Sequence, residues 1–241
     1  MDTLFFSDEH NMLIEMISDF AKSEITPIAR EIDQNSRFPS EVISKLGDLG
    51  ILSIPVPKKY GGSGMDNVAY AAAIMELAKA DASIAITVAA HTSLGTMPIV
   101  LSGSDEQKKK YVPKLASGEI LGSFGLTEPE AGSDAGATKT TAERTREGFI
   151  VNGGKIFITN AGVAGLLSFT AQIIEEGKNK GIGAFIIPTD IDGLTISEPE
   201  KKMGWRASDT RQLFFNNMLI NDSNMIAEPG EGFKIFLKIL T

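Results

Sequence analysis

The hydrophobic period of the chain changes near residue 120, and that change constrains the architecture more than any single motif does. Before it, Leu13, Met16, Ile17 and Phe20 follow the i, i+3, i+4, i+7 spacing of an amphipathic helix, which Thr26-Pro27 interrupts. Val42, Leu46 and Leu49 form a second stripe, closed by Gly50 at a C-cap position. Beyond the loop from Pro55-Val56-Pro57 to Gly64, the spacing predicts a helix around Val68 to Lys79, then a long apolar helix. A last one is opened by Ser104 with Gln107 in a capping-box relation. After residue 120 the period falls toward two. Gly rises from 8 in the first 120 residues to 16 in the remainder and Thr from 5 to 11, so turn chemistry takes over and two domains are expected. Phe149-Ile150-Val151 and Ile156-Phe157-Ile158 flank Asn152-Gly153, a strong hairpin signal. Apolar runs at Leu166 to Ile174, Ala184 to Ile187 and Gln212 to Ile220 are separated by Gly-, Lys- and Asp-rich turns, which reads as a small antiparallel barrel or sandwich. Helical pattern returns from Gly232 to Leu240 and is cut at Thr241 without a cap, Gly or Pro, so the expectation is a portion of something longer.

Composition removes several classes of function. A chain of 241 residues that is 42% hydrophobic buries a sizeable core. It has no Cys, which excludes disulfides, thiolate metal sites and cysteine nucleophiles and fits a reducing cytosol. A net charge of -8 argues against nucleic acid, and Lys108-Lys109-Lys110, following Asp105-Glu106 on a predicted helix, reads as a solvated face. Met1-Asp2-Thr3-Leu4 leads into an acidic helix start rather than an export signal, so a cytoplasmic location is expected. Ala82 to Ser104 carries no Asp, Glu, Lys or Arg and is long enough to cross a bilayer. His91, Gly95, Pro98 and several Ser and Thr interrupt it, and its many Ala suit a helix packed on all sides; no membrane span is expected.

The chain has no Gly-rich phosphate loop ending in Lys-Ser/Thr, no Gly-x-Gly-x-x-Gly after a strand and no His-Glu-x-x-His, and its histidines are His10 and His91. No zinc site or other metal site is expected, and His91 reads as a packed, hydrogen-bonded core residue. Chemistry concentrates instead in Phe124-Gly125-Leu126-Thr127-Glu128-Pro129-Glu130-Ala131-Gly132-Ser133-Asp134 and in Lys155-Ile156-Phe157-Ile158-Thr159-Asn160. Leu126 and Thr127 offer main-chain groups and a hydroxyl to the edge of a polar heterocycle, and Gly132 and Ser133 offer adjacent N–H groups to a diphosphate. Phe157 supplies an aromatic wall, with the Thr159 hydroxyl on the same strand face because residues two apart point the same way. The same residues also read as a Gly-rich β-turn followed by an ordinary hairpin, and spacing leaves both readings open.

Thr127-Glu128-Pro129, Ala131-Gly132-Ser133-Asp134, then Asn152-Gly153-Gly154-Lys155 through Asn160, then Met203-Gly204-Trp205-Arg206-Ala207-Ser208-Asp209-Thr210-Arg211 resemble, in order and spacing, the acyl-CoA dehydrogenase family of short/medium-chain type. The resemblance continues through Asn224-Met225-Ile226 and Gly230-Glu231-Gly232-Phe233-Lys234. It implies a fold of α+β multidomain class: an all-α N-terminal domain at 1–120, an antiparallel β-barrel middle domain at 121–230, and at 231–241 the start of a C-terminal helical domain. It implies FAD as cofactor, lined by Phe124, Gly125, Leu126, Thr127, Gly132 and Ser133. Thr127 would lie toward the pyrimidine end, and Ser133 at the diphosphate and also at the CoA substrate. Phe157, Ile158 and Thr159 would flank the ring near N5. Many relatives carry Trp where this chain has Phe157, and Glu130 stands where Gly is frequent. Arg206 and Arg211 suit CoA or subunit contacts and equally ion pairs. The implied reaction converts acyl-CoA thioesters to trans-2-enoyl-CoA, with the catalytic Glu beyond Thr241, so that this portion alone is expected to be inactive. Alternatives of the same reading are an acyl-CoA oxidase and a non-catalytic flavin- or CoA-binding remnant. The resemblance also implies an electron-transferring flavoprotein as acceptor and a homotetramer.

Overall fold

The computed structural model describes residues 6–240. Met1 to Leu4, on which the reading of the N-terminus rests, and Thr241 lie outside them. The chain divides into two compact units, one made of Met1–Ala89, Tyr111–Glu119 and Lys201–Ser208, the other of Ala90–Lys110, Ile120–Glu200 and Asp209–Thr241.

The first unit is helical, as its 3.6 period requires. Helix α1 (Asp8–Phe20) starts at Ser7, whose hydroxyl accepts the His10 N–H while its own N–H donates to His10 Nδ1, a capping box with His at the third position. A π-helical turn, Ala21–Ile25, carries α1 to the break at Pro27, after which α2 spans Ala29–Asn35. Helix α3 (Ser40–Asp48) stops where predicted, because Gly50 takes a φ of 74° that lets the chain turn back after Leu49. Helix α4 (Asn67–Ala80) is capped by Asp66, which accepts the Ala69 N–H at 2.8 Å and pairs with His10 Nε2 at 3.0 Å. Leu13, Ile17, Ile25, Ile32, Leu46 and Leu77 form its core. Met16 belongs to the predicted stripe of α1 and is nonetheless exposed.

Helix α5 (Ala82–Ala89) continues as a π-helical stretch, Ala90–Thr96, and as α6 (Met97–Ser102). The run Ala82–Ser102 has the length and mean hydropathy, 1.6, of a membrane-crossing helix, and 61% of its apolar window is buried inside the protein. Helix α7 (Asp105–Ser117) opens with both halves of the Ser104–Gln107 capping box, at 2.8 and 3.2 Å. A final helix, α8, spans Gly232–Leu240.

The second unit is built on eight strands: β1 (Leu121–Gly125), β2 (Thr141–Arg144), β3 (Phe149–Thr159), β4 (Ala164–Glu175), β5 (Lys178–Pro188), β6 (Leu194–Ile196), β7 (Thr210–Ile220) and β8 (Met225–Ala227). The expected antiparallel barrel is corrected on two counts. The sheet is open, in the order β6-β7-β3-β2-β4-β5-β8, and it is mixed, because β1 and β2 both run parallel to β4. They occupy successive stretches of one edge of β4, with Gly125 opposite Phe169 and Thr141 opposite Gln172. Residues 126–140 leave the sheet between them. Phe169 stacks on Phe185 and on Phe215 at 5.5 and 4.8 Å, Phe149 meets Phe185 edge to face at 5.3 Å, and these rings fill the apolar interior with Val151, Leu213 and Met218.

The hairpin expected at Asn152-Gly153 is also corrected. Strand β3 runs straight through it, and the turn lies earlier, where the Thr145 N–H donates to Gly148 O at 2.8 Å. The left-handed tolerance of Asn-Gly serves a bulge instead: Gly153 has φ 139°, the β3–β7 register slips between Val151 and Gly153, and a Cβ on Gly153 would lie 2.7 Å from Thr140 Cα.

Candidate functional site

Where β1 ends, Phe124, Leu126 and Thr127 meet Phe157, Ile158 and Thr159 at the end of β3, and Ala90 and Leu94 of the π-helical stretch close the third side. Together they line a cavity of about 300 Å³, at the lower end of the range of about 300–1,000 Å³ usual for small-molecule sites. Next to Leu94 in the sequence, two backbones approach closely. A Cβ on Gly95 would fall 2.6 Å from Gly122 Cα, so only glycine at both positions lets the helix touch β1. His91, fully buried beside Gly95, accepts the Gly122 N–H on Nδ1 at 2.9 Å and ties the same two elements together, in keeping with a packed core histidine.

Phe157 is the unusual member. Its φ is 59°, left-handed for an aromatic residue, and 64% of it is exposed although it belongs to a strand of the sheet. Such a conformation costs about 1–2 kcal/mol and persists only where the surroundings impose it. Here the β3–β7 register breaks between Lys155 and Ile158, the Ile156 N–H is drawn off to Thr127 O at 2.9 Å, and Asn160, with φ 66°, donates its N–H to Asp209 O at 2.8 Å. The bulge shifts strand alternation by one residue: Ile158 joins the apolar core while Phe157 and Thr159 stay outside it, and all three border the cavity.

Behind this wall lies a buried ion pair that spacing did not reveal. Lys155 is 0% exposed and its Nζ lies 2.6 Å from Glu128 Oε1, 3.3 Å from Leu126 O, 3.2 Å from Thr138 Oγ1 and 3.3 Å from Thr170 Oγ1. Glu128 also accepts from Thr138 Oγ1 and from the Lys139 and Thr140 N–H groups, and so gathers residues 138–140 against its own turn. Burial works to raise the Glu128 pKa, but the Lys155 charge and these hydrogen bonds outweigh it and hold the carboxyl at about 2. Burial pushes Lys155 down to about 8 against the pull of Glu128, which leaves both groups ionised at neutral pH. The one trace in the sequence is a charged residue inside an apolar strand, and its partner is 27 positions away.

The remaining expected residues lie apart. Gly125 points to the other side of β1, where a Cβ would stand 3.2 Å from both Lys155 Cγ and Phe169 Cβ. Gly132 and Ser133 are exposed beyond the tight turn in which Glu128 and Ala131 exchange backbone hydrogen bonds, and neither borders the cavity. Arg206 pairs with Asp33 at 2.6 Å, and Arg211 with Asp209 at 2.7 Å and with Ser197 O at 2.9 Å. Among the described residues no group of His, Cys, Asp and Glu is placed to hold a metal ion.

The chain matches the family description "Acyl-CoA dehydrogenase, N-terminal domain" over residues 7–119 and "Acyl-CoA dehydrogenase, middle domain" over residues 123–218. It is 45% identical over 236 residues to a Bacillus subtilis protein described as probable acyl-CoA dehydrogenase YngJ, a match covering 96% of this chain and 61% of that protein. The butyryl-CoA dehydrogenase of Megasphaera elsdenii superposes on all of this chain with a TM-score of 0.93 at 38% identity, over 63% of its own length. An acyl-CoA dehydrogenase complexed with FAD from Bacillus anthracis superposes with a TM-score of 0.91 at 38% identity, covering all of this chain and 42% of that one. The chain thus spans about three fifths of the length of the curated relative, 61%.

Proposed function

The chain belongs to the acyl-CoA dehydrogenase family, and on that premise we propose that it carries most of a flavin site for the α,β-dehydrogenation of acyl-CoA thioesters. The observation that supports this most directly is the exposed, left-handed Phe157 facing Thr127 and Phe124 across an open cavity. A flat ring system fits these residues. Thr127 and Thr159 bring hydroxyl-bearing side chains to the lining, Phe124, Leu126, Phe157 and Ile158 bring aromatic and aliphatic ones, and the volume suits a heterocycle rather than a whole dinucleotide.

In this reading Phe124, Leu126, Thr127, Phe157, Ile158 and Thr159 hold the isoalloxazine of FAD, and Gly125, on the other side of β1, makes room for the Lys155 stem behind them. Gly132 and Ser133, exposed beyond the turn, take the diphosphate, and Ser133 also takes part of the CoA moiety. FAD held by these residues would supply an acceptor for the hydride that leaves the β carbon of the acyl group. Phe157 excludes water from one face, and the threonine hydroxyls and the backbone at 126–127 orient the ring through hydrogen bonds. The cavity lining contains no carboxylate, and the base that takes the α proton is not among its residues. The wider reading is a cytoplasmic homotetramer that passes its electrons to an electron-transferring flavoprotein, with domain limits at 1–120 and 121–230 and a third domain from 231.

The test is made on the intact protein. Isolated with bound flavin, it is expected to lose visible absorbance when given a saturated short-chain acyl-CoA without oxygen and to pass the electrons to a dye. A protein that binds no flavin, or whose flavin no acyl-CoA of any length bleaches, overturns the reading.

A further inference from the structure

We propose that Lys155, held in place by Glu128, is a positioning residue: it fixes and polarises the peptide joining Leu126 to Thr127, so that the Thr127 N–H meets the flavin ring as a strengthened donor. This rests on the flavin reading given above.

The oxygen of Leu126 and the N–H of Thr127 belong to one peptide unit, and no cis bond occurs among the described residues. In a trans peptide the two point in opposite directions. Lys155 Nζ lies 3.3 Å from the Leu126 oxygen on the buried side, which turns the Thr127 N–H away from Lys155, and both residues line the cavity. The next carbonyl, Thr127 O, is held by the Ile156 N–H at 2.9 Å, so two consecutive peptides are pinned from behind. A cation on a carbonyl oxygen strengthens the donor at the other end of the same amide, and does so most in a site without water.

A filling role does not account for the pair. Replacing a buried ion pair by apolar side chains of similar size is often neutral or stabilising, and the lysine stem already packs against the bare Cα of Gly125. An ammonium carries three protons and here finds four acceptors, three of them uncharged. Glu128 keeps that charge in place, while the Leu126 oxygen is the one acceptor that belongs to the cavity wall.

The experiment compares the intact wild-type protein with Lys155→Met, and with Lys155→Met combined with Glu128→Gln, which leaves no stranded charge. Thermal melting establishes that each variant is folded, and FAD binding is followed by flavin fluorescence and by the position of the visible band. The expected result is an affinity lower by tenfold or more together with a displaced band. A folded variant with wild-type affinity and a wild-type band overturns the proposal. Amide hydrogen exchange in the wild type tests it without any substitution: Thr127 exchange is expected to slow tenfold or more when FAD is added, and unchanged exchange overturns it. Wild-type protein that fails to bind FAD overturns the flavin reading itself, whereas normal wild-type binding with unaltered variants overturns this inference alone.

Discussion

Arg211 lies across Gly162 so closely that a Cβ on the glycine would stand 2.0 Å from the arginine Nε. The guanidinium is not free to step aside, because Asp209 Oδ1 takes Nε at 2.7 Å while Asp209 Oδ2 takes the Gly162 N–H at 2.6 Å. Asp209, Gly162 and Arg211 therefore lock the turn that follows Thr159. Gly162→Ala is expected to destabilise the protein by about 1–3 kcal/mol, the usual range for overpacking, read as a lower urea midpoint with an unchanged slope. Wild-type stability would show that the arginine yields.

The contact between Gly95 and Gly122 gives a second prediction. Either residue changed to Ala brings a methyl within 2.8 Å of backbone that has no side chain to rotate away. We expect a loss of about 1–3 kcal/mol for each and, since both glycines are in one contact, a sub-additive double variant. A double-mutant cycle in urea checks both values, and strict additivity would show the two sites to be independent.

Glu128 makes the protein sensitive to acid in a defined window. Its folded-state pKa, about 2, lies below its ordinary value of 4.5. The stabilisation is therefore fully present above about pH 4.5 and is lost as the pH falls from there to about 2, an amount of about 3 kcal/mol at 1.36 kcal/mol per pKa step. Glu128→Gln is expected to remove this part of the acid slope. It should also lower stability at neutral pH by about 3–5 kcal/mol, because the Lys155 ammonium is left buried without a counter-charge. Urea unfolding at intervals between pH 2 and pH 7 measures both.

Phe157 separates stability from binding. Glycine at this position relieves a left-handed φ worth about 1 kcal/mol and gives up little burial, since the side chain is 64% exposed. Phe157→Gly is thus expected to melt no lower than the wild type while FAD affinity falls, and Phe157→Trp to keep the affinity. Melting curves and fluorescence titration decide it; a variant that melts much lower would mean that Phe157 packs for structure.

The sequence carried the helices of the first unit because their stripes and caps are local. Leu46 with Gly50, and Ser104 with Gln107, need no distant partner to be read. It also brought Phe124 to Thr127 and Phe157 to Thr159 together as one candidate site. What it hid depends on pairing across the sheet. Asn152-Gly153 signals a left-handed conformation and is silent on whether that makes a turn or a bulge. The parallel placement of β1 and β2 on β4 leaves no local mark. The burial of Lys155 leaves no local mark either, because the partner that makes it tolerable is Glu128, folded back from another loop.

The line shared by β1 and β2 bears on how this protein tolerates change. Residues 126–140 leave β4 opposite Phe169 and return opposite Gln172, a gap of roughly 10 Å at about 3.3 Å per residue. Both ends of the excursion are therefore anchored to the same strand. Its two ends, Leu126 to Glu128 and Thr138 to Thr140, are tied to Lys155 and to one another, so the stretch between Glu128 and Thr138 is the part that evolution or an engineer can lengthen, shorten or exchange without recutting the frame that holds the site.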